Sequence, residues 1–155
     1  MKYSVYIDGS CQQDANPVGG WSFVMADDKN KIIKESYGKL RDGVQNSNRA
    51  ELEALYQALL FISKSNDLLE MNFHIYSDSE VVVEGVHGLA KRKSNRDLWE
   101  KIEPLCLSLI GRIDISHVEG HQSDDNIQVE GLLNKRADKL AKAGANSLII
   151  APVNN

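Results

Sequence analysis

Cysteine is scarce in this sequence. Cys11 and Cys106 are the two among 155 residues, with no Cys-x-x-Cys pair and no ligand spacing to a histidine. That excludes a disulfide framework and the usual zinc patterns, and fits reduced thiols. Any apolar run long enough to span a bilayer is also absent. Met1 leads almost directly into the alternating Tyr3-Val5-Ile7, without the basic and apolar regions of a secretory leader, so a cytoplasmic location and no membrane partner are expected. Positive charge is not in excess. The 18 Lys and Arg face 22 Asp and Glu, a formal net charge of -4. Nucleic-acid binding would therefore need a local basic patch or bound cations. Repeats and linkers are missing too, so the chain reads as one domain, large enough to bury a core without staples.

What is there has clear periodicity. Residues 2–8 alternate as a strand. "GGWSFVMADD" (19–28) and "NKIIKESYGKL" (30–40) read as two more strands about a polar turn, which implies an antiparallel meander. Residues 47–65 carry Leu52, Leu55, Tyr56 and Leu59 at helical spacing. "MNFHIYSDS" (71–79) reads as a fourth strand, and 80–90 as a short helix in spite of Gly85 and three consecutive valines. After a basic loop (91–96), 97–110 reads as a helix kinked or bounded by Pro104, and 112–120 as a fifth strand. A polar loop (121–128) precedes a helix over 130–145 with Leu133, Ala137, Leu140 and Ala141 on one stripe. The expected architecture is a single α/β domain over 1–146, with a mixed sheet and helices on its faces, and a tail, 147–155, of no assigned role.

Two strands end in a carboxylate. If strands one and four are parallel neighbours joined by a right-handed crossover, Asp8 and Asp78 sit side by side at their carboxyl ends. Open α/β sheets bind ligands there. Adjacent carboxylates repel unless a cation neutralises them, and an oxygen-rich site suits Mg²⁺ or Mn²⁺. Each acid also has an ordinary reading. Asp8-Gly9 is a turn signal, and Asp78 could cap the helix after it. Glu51 could form a capping box with Asn48, and Asp138 could pair with Lys142 at i,i+4. The weight lies in their combination.

In order, "YIDGSC…NPVGGW", "NSNRAELEAL", "IYSDS", "DLW", "HVEGH" and "NKRADKLA" span nearly the whole chain. Together they resemble the ribonucleases H of type 1. The resemblance implies an RNase H-like fold with a mixed five-stranded sheet flanked by helices. It also implies a catalytic carboxylate set, Asp8, Glu51, Asp78 and Asp138, holding two Mg²⁺ for which Mn²⁺ can substitute. His121 would assist proton transfer or product release. The implied reaction is hydrolysis of the RNA strand of an RNA–DNA hybrid, leaving 5′-phosphate and 3′-hydroxyl ends. Two cations about 3.5–4 Å apart can activate an in-line water, neutralise the phosphate and stabilise the leaving oxygen. By the same resemblance Asn16 and Asn48 are candidates for reading the 2′-hydroxyl across a minor groove. Ser47 stands where the family often has another asparagine.

The sequence departs from the family in three places. The long basic protrusion of many bacterial members shrinks to "GLAKRKSNR", leaving Lys91, Arg92 and Lys93, with Arg96, as a small phosphate-binding patch. Glu80 replaces a frequent glutamine, and a carboxylate cannot donate a hydrogen bond. The stretch from His121 to Asp138 is longer than usual and carries Asp124, Asp125 and Glu130. His74, His87 and His117 read as ordinary residues. A haloacid-dehalogenase-type phosphatase would need an aspartate where Tyr6 stands. A non-catalytic nucleic-acid-binding module would usually have lost carboxylates, and none is missing. An RNase H-fold nuclease for another nucleic acid stays open, although Asn16 and Asn48 favour hybrids. A monomer is expected.

Overall fold

Alternation along the first strands sorts their side chains between two helical layers. The computed structural model describes residues 2–12, 15–41, 43–88, 92, 94–119 and 129–153. Strands β1 (Lys2–Gln12), β2 (Val18–Ala26) and β3 (Ile32–Lys39) form the antiparallel meander. Strand β4 (Asn72–Ser77) runs parallel to β1, and β5 (Ile113–His117) parallel to β4, in the order β3-β2-β1-β4-β5. The helices are α1 (Ser47–Lys64), α2 (Glu80–His87), α3 (Arg96–Ser108) and α4 (Val129–Ala145). This is the expected mixed five-stranded sheet with flanking helices. Among the described residues no helix is long and apolar enough to cross a membrane.

On one face Val5, Ile7, Phe23, Met25, Phe73 and Ile75 meet Leu52, Leu55, Leu59 and Ile62 of α1 and Leu98, Trp99 and Ile102 of α3. On the other, Tyr6, Val24 and Ala26 meet Leu133, Ala137 and Leu140 of α4. Helix α4 lies very close to the sheet. A Cβ on Gly20 would overlap the backbone of Ala141 and Ala145, and one on Gly144 would overlap the Gly38 carbonyl.

Several boundaries differ from the sequence reading. Strand β1 does not stop at Asp8. Its pairing with β2 continues from Asp8↔Ser22 to Gln12↔Val18, so Asp8-Gly9 is strand and not turn. The cap of α1 is Asn46, whose Oδ1 accepts from Arg49 N at 2.8 Å, and not a box built on Asn48. Ser79, rather than Asp78, caps α2 by accepting from Val82 N. Helix α3 runs through Pro104, whose missing N–H leaves only the Glu100 carbonyl without its helical partner. The valine-rich α2 holds because Ser79 caps one end, Gly88 turns out of the other at φ 74°, and Gly85 provides the flat seat on which Trp99 rests. A short 3₁₀ turn, Asn66–Leu68, was not anticipated. The tail also has a place. Tyr37 Oη accepts from Ile150 N at 2.8 Å, and Arg136, paired with Glu35, donates to Ala151 O at 2.9 Å.

Candidate active site

The site forms where one ladder stops and its neighbour continues. The parallel pairing of β1 with β4 ends at Ile7↔Ser77, so Asp78 leaves β4 beside Asp8. Alternation turns Asp8 toward the face that carries Tyr6 and α4. Gly9 faces the other way, against the first turn of α1. A Cβ there would overlap Glu51 N and Ala50; its absence lets α1 begin directly against β1 and delivers Glu51 to Asp8. Asp8, Glu51 and Asp78 each offer a carboxylate oxygen, all within 4.8 Å of one another. Asp138, from α4, adds a fourth charge that acts on both Asp8 and Asp78. Its Oδ2 lies 2.9 Å from Lys142 Nζ, so the i,i+4 pair forms as well.

Burial dominates the electrostatics. Asp8 is 3% exposed; desolvation first, and the Asp78 charge second, push its pKa up to about 8. Glu51 is held well above the ordinary carboxylate range, again by burial first and then by the charges of Asp8 and Asp78. Asp78 is raised by desolvation, with its hydrogen bond to Glu51, and more weakly the charge of His117, pulling the other way. His117, read from sequence as ordinary, places Nε2 3.2 Å from Asp78 O. Glu51 Oε2 is buried without a hydrogen-bond partner. Crowded buried carboxylates with an orphaned oxygen fit a hard, oxygen-preferring divalent cation, which would supply the missing counter-charge.

The other candidates are placed as follows. Asn16, Ser47 and Asn48 are exposed. Gln45 ties their two segments together, its Oε1 accepting from Gly19 N at 2.8 Å and its Nε2 donating to Leu40 O at 3.2 Å. Glu80 is exposed in the first turn of α2, where its charge suits the helix dipole. Arg92 is engaged with the protein itself. It donates from Nε and Nη2 to Gly85 O at 3.0 and 2.9 Å, pairs with Glu103, and lies 4.4 Å over the Trp99 ring. Lys91, Lys93 and His121 lie outside the described residues.

Sequence reasoning missed three residues that the fold brings into play. Arg49 is buried and donates to both oxygens of Asp97, at 3.0 and 2.6 Å, and to Asn95 Oδ1 at 3.2 Å. Asn134, one turn before Asp138, buries an Oδ1 that has no partner. Ser22 stands opposite Asp8 in the ladder and bonds α4. Only the last had a signal: a serine at an inward position of an otherwise apolar strand.

A sheet of this order, carrying buried carboxylates where its parallel pair ends and where Asp138 of α4 joins them, defines the class of nucleases built on an acidic centre. The pattern of the RNase H family matches residues 1–146. Ribonuclease H of Polaromonas sp. (strain JS666) is 31% identical, over 90% of this chain and 86% of its own length. Ribonuclease H of Acidovorax sp. (strain JS42) is 30% identical, over 94% and 95%. LC11-RNase H1, isolated from compost by a metagenomic approach and solved in complex with an RNA/DNA hybrid, shares the fold with a TM-score of 0.73 at 22% identity, over 94% of this chain and 97% of that one. The chain belongs to the ribonuclease H family.

Proposed function

We propose that the protein is an endoribonuclease that hydrolyses the RNA strand of RNA–DNA hybrids, leaving 5′-phosphate and 3′-hydroxyl ends. Its centre is Asp8, Glu51, Asp78 and Asp138, with two Mg²⁺ as cofactor and Mn²⁺ able to substitute. The observation that carries this reading is the buried Asp8–Glu51–Asp78 cluster in a chain of this family. The complex of LC11-RNase H1 with a hybrid supports the substrate.

Bound divalent ions supply phosphate neutralisation, a water of lowered pKa and stabilisation of the leaving oxygen. The chain does the rest. Asp8, fixed in β1 by its ladder with β2 just where the pairing with β4 ends, is the rigid reference of the site. Glu51 and Asp78 complete one side from α1 and the end of β4, and Asp138 closes the other from α4. His121 takes or returns a proton near the scissile phosphate. Asn16, Ser47 and Asn48 lie on adjoining exposed segments and read the 2′-hydroxyl, which separates RNA from DNA. Lys91 and Lys93 hold phosphates. The protein acts as a monomer in the cytoplasm.

The test is product analysis with Mg²⁺ on a hybrid, single-stranded RNA and duplex DNA. Internal cuts confined to the RNA of the hybrid, with 5′-phosphate ends, are expected. Equal cutting of duplex DNA would replace the substrate. Binding of the hybrid without any cutting would make the chain a binding module.

A further inference from the structure

Ser22 is wholly buried in β2, directly opposite Asp8 in the antiparallel ladder. Opposed residues of such a pair project to the same face, here toward α4. The Ser22 hydroxyl donates to Ala137 O at 2.5 Å. A carbonyl within an α-helix already accepts from the amide four residues on. Helix formation therefore does not require this second bond, and its loss leaves no buried carbonyl orphaned. What the bond adds is direction. Ala137 immediately precedes Asp138, so the hydroxyl fixes the rotation and height of α4 one residue from the carboxylate that crosses over Asp8. The neighbouring contacts cannot do this as sharply. Leu133, Ala137 and Leu140 lie on Tyr6 and Val24 through non-directional apolar packing. The close approach at Gly20 falls on Ala141 and Ala145, a turn or more further along.

We infer that Ser22 is a positioning residue that sets Asp138 against Asp8 and thereby tunes the affinity of the site for divalent cations. It touches neither substrate nor cation. The inference rests on the proposed membership of Asp138 in the cation-holding set.

The experiment is a double-mutant cycle read by calorimetric titration with Mn²⁺, with hybrid cleavage followed in parallel. Wild type, Ser22→Ala, Asp138→Asn and the double variant are compared. Groups that orient metal ligands matter by about 10–100-fold in affinity. Acting through the backbone, Ser22 belongs at the low end, so Ser22→Ala should weaken Mn²⁺ binding by about ten-fold. Turnover should fall at limiting Mn²⁺ and recover at saturation, with KM for the hybrid unchanged. In the Asp138→Asn background the same substitution should change affinity by less than about two-fold, because the residue it acts through is gone. Ser22→Cys, which fills the site with a slightly larger atom but donates weakly, should follow Ser22→Ala and carries the same cycle if the alanine variant melts before titration. Equal weakening in both backgrounds, or none in the first, overturns the positioning role alone. Unchanged Mn²⁺ affinity in Asp138→Asn removes the assignment of Asp138, and the inference with it.

Discussion

Asp8 is a carboxylate that folding forces into a place where it resists ionising. Its pKa of about 8 lies far above the 3.8 of an ordinary aspartate, through burial and then the Asp78 charge. Between those two values the folded, cation-free protein holds a proton that the unfolded chain has released, so stability falls as pH rises from about 4 to about 8. His74 works oppositely. Burial depresses its pKa, so the penalty it carries at low pH fades as pH rises toward 6.5 and is gone above it. The diagnostic is therefore a contrast between variants. In chelator, Asp8→Asn should melt several degrees above wild type at pH 8, by less at pH 5, and should show no turnover with Mg²⁺. Equal melting at both pH values would deny the site its stored repulsion; near-normal turnover would remove Asp8 from the catalytic set. His121 belongs at the other end of the scale. A proton-handling group contributes about 10²–10⁴-fold, and one in a stretch as polar as 121–128, with little apolar to anchor it, should sit at or below the lower limit. His121→Ala should lower kcat modestly with hybrid affinity kept, and Asp138→Asn should cost far more. Steady-state kinetics on the two variants ranks them, and a His121→Ala enzyme as inactive as Asp8→Asn would reverse the order. Asp8 and Asp78 were readable in sequence because period-two alternation ends on each. Arg49 and Asn134 were not, since a polar residue in a helix gives no sign of being buried.

Elements hold these residues in register through a few close approaches. Gly20 lets α4 lie close over β2; a methyl there would meet the backbone of Ala141 and Ala145 rather than a flexible side chain. Gly20→Ala should therefore destabilise by about 1–3 kcal/mol, as overpacking does, and should lower turnover by moving Asp138 while leaving Asp8 in place. A melting scan with kinetics decides it, and a stable, fully active variant would show α4 free to shift. At the other end of the site, Arg49 locks the start of α1 to the start of α3. Its hydrogen bonds, with its charge, hold the Asp97 carboxyl down at about 2. A carboxylate depressed in the folded state stabilises above its unfolded value of 3.8, and that support disappears as pH falls from there toward 2. Asp97 is largely exposed, so after allowing for screening its loss costs about 1 kcal/mol. Asp97→Asn should flatten the acid limb of the melting profile between pH 4 and 2. An unchanged limb would mean that the pair is solvated away. Helices and strands were readable because their periods are strong. Their ends were less so. The end of β1 depends on which neighbour is still pairing, and α3 crosses Pro104 because only one exposed carbonyl loses its partner.

The molecule as a whole must bring an anionic duplex to a centre made of anions. Its formal charge is -4, and four of its carboxylates gather at the site, so attraction has to come from cations and from few basic side chains. Of the three clustered cations named from sequence, Arg92 is held on Gly85 O and over Trp99. The guanidinium thereby ties Gly85 of α2 to Trp99 and Glu103 of α3. Lys91 and Lys93 flank it in sequence. A duplex contact that releases one counterion contributes about -0.9 to the slope of log K against log salt. Lys91→Ala and Lys93→Ala should each flatten the slope for hybrid binding by about 1 and weaken binding alike across sequences. Arg92→Ala should leave the slope unchanged and instead lower the melting temperature, since it removes the cap on Gly85 and a cation–π contact of about 0.5–2 kcal/mol. Measuring affinity at several salt concentrations, beside thermal melting, separates the two roles. If Arg92→Ala flattens the slope as the lysine variants do, the guanidinium leaves Trp99 for a phosphate when the hybrid binds, and its tie between Gly85 of α2 and Trp99 of α3 is released.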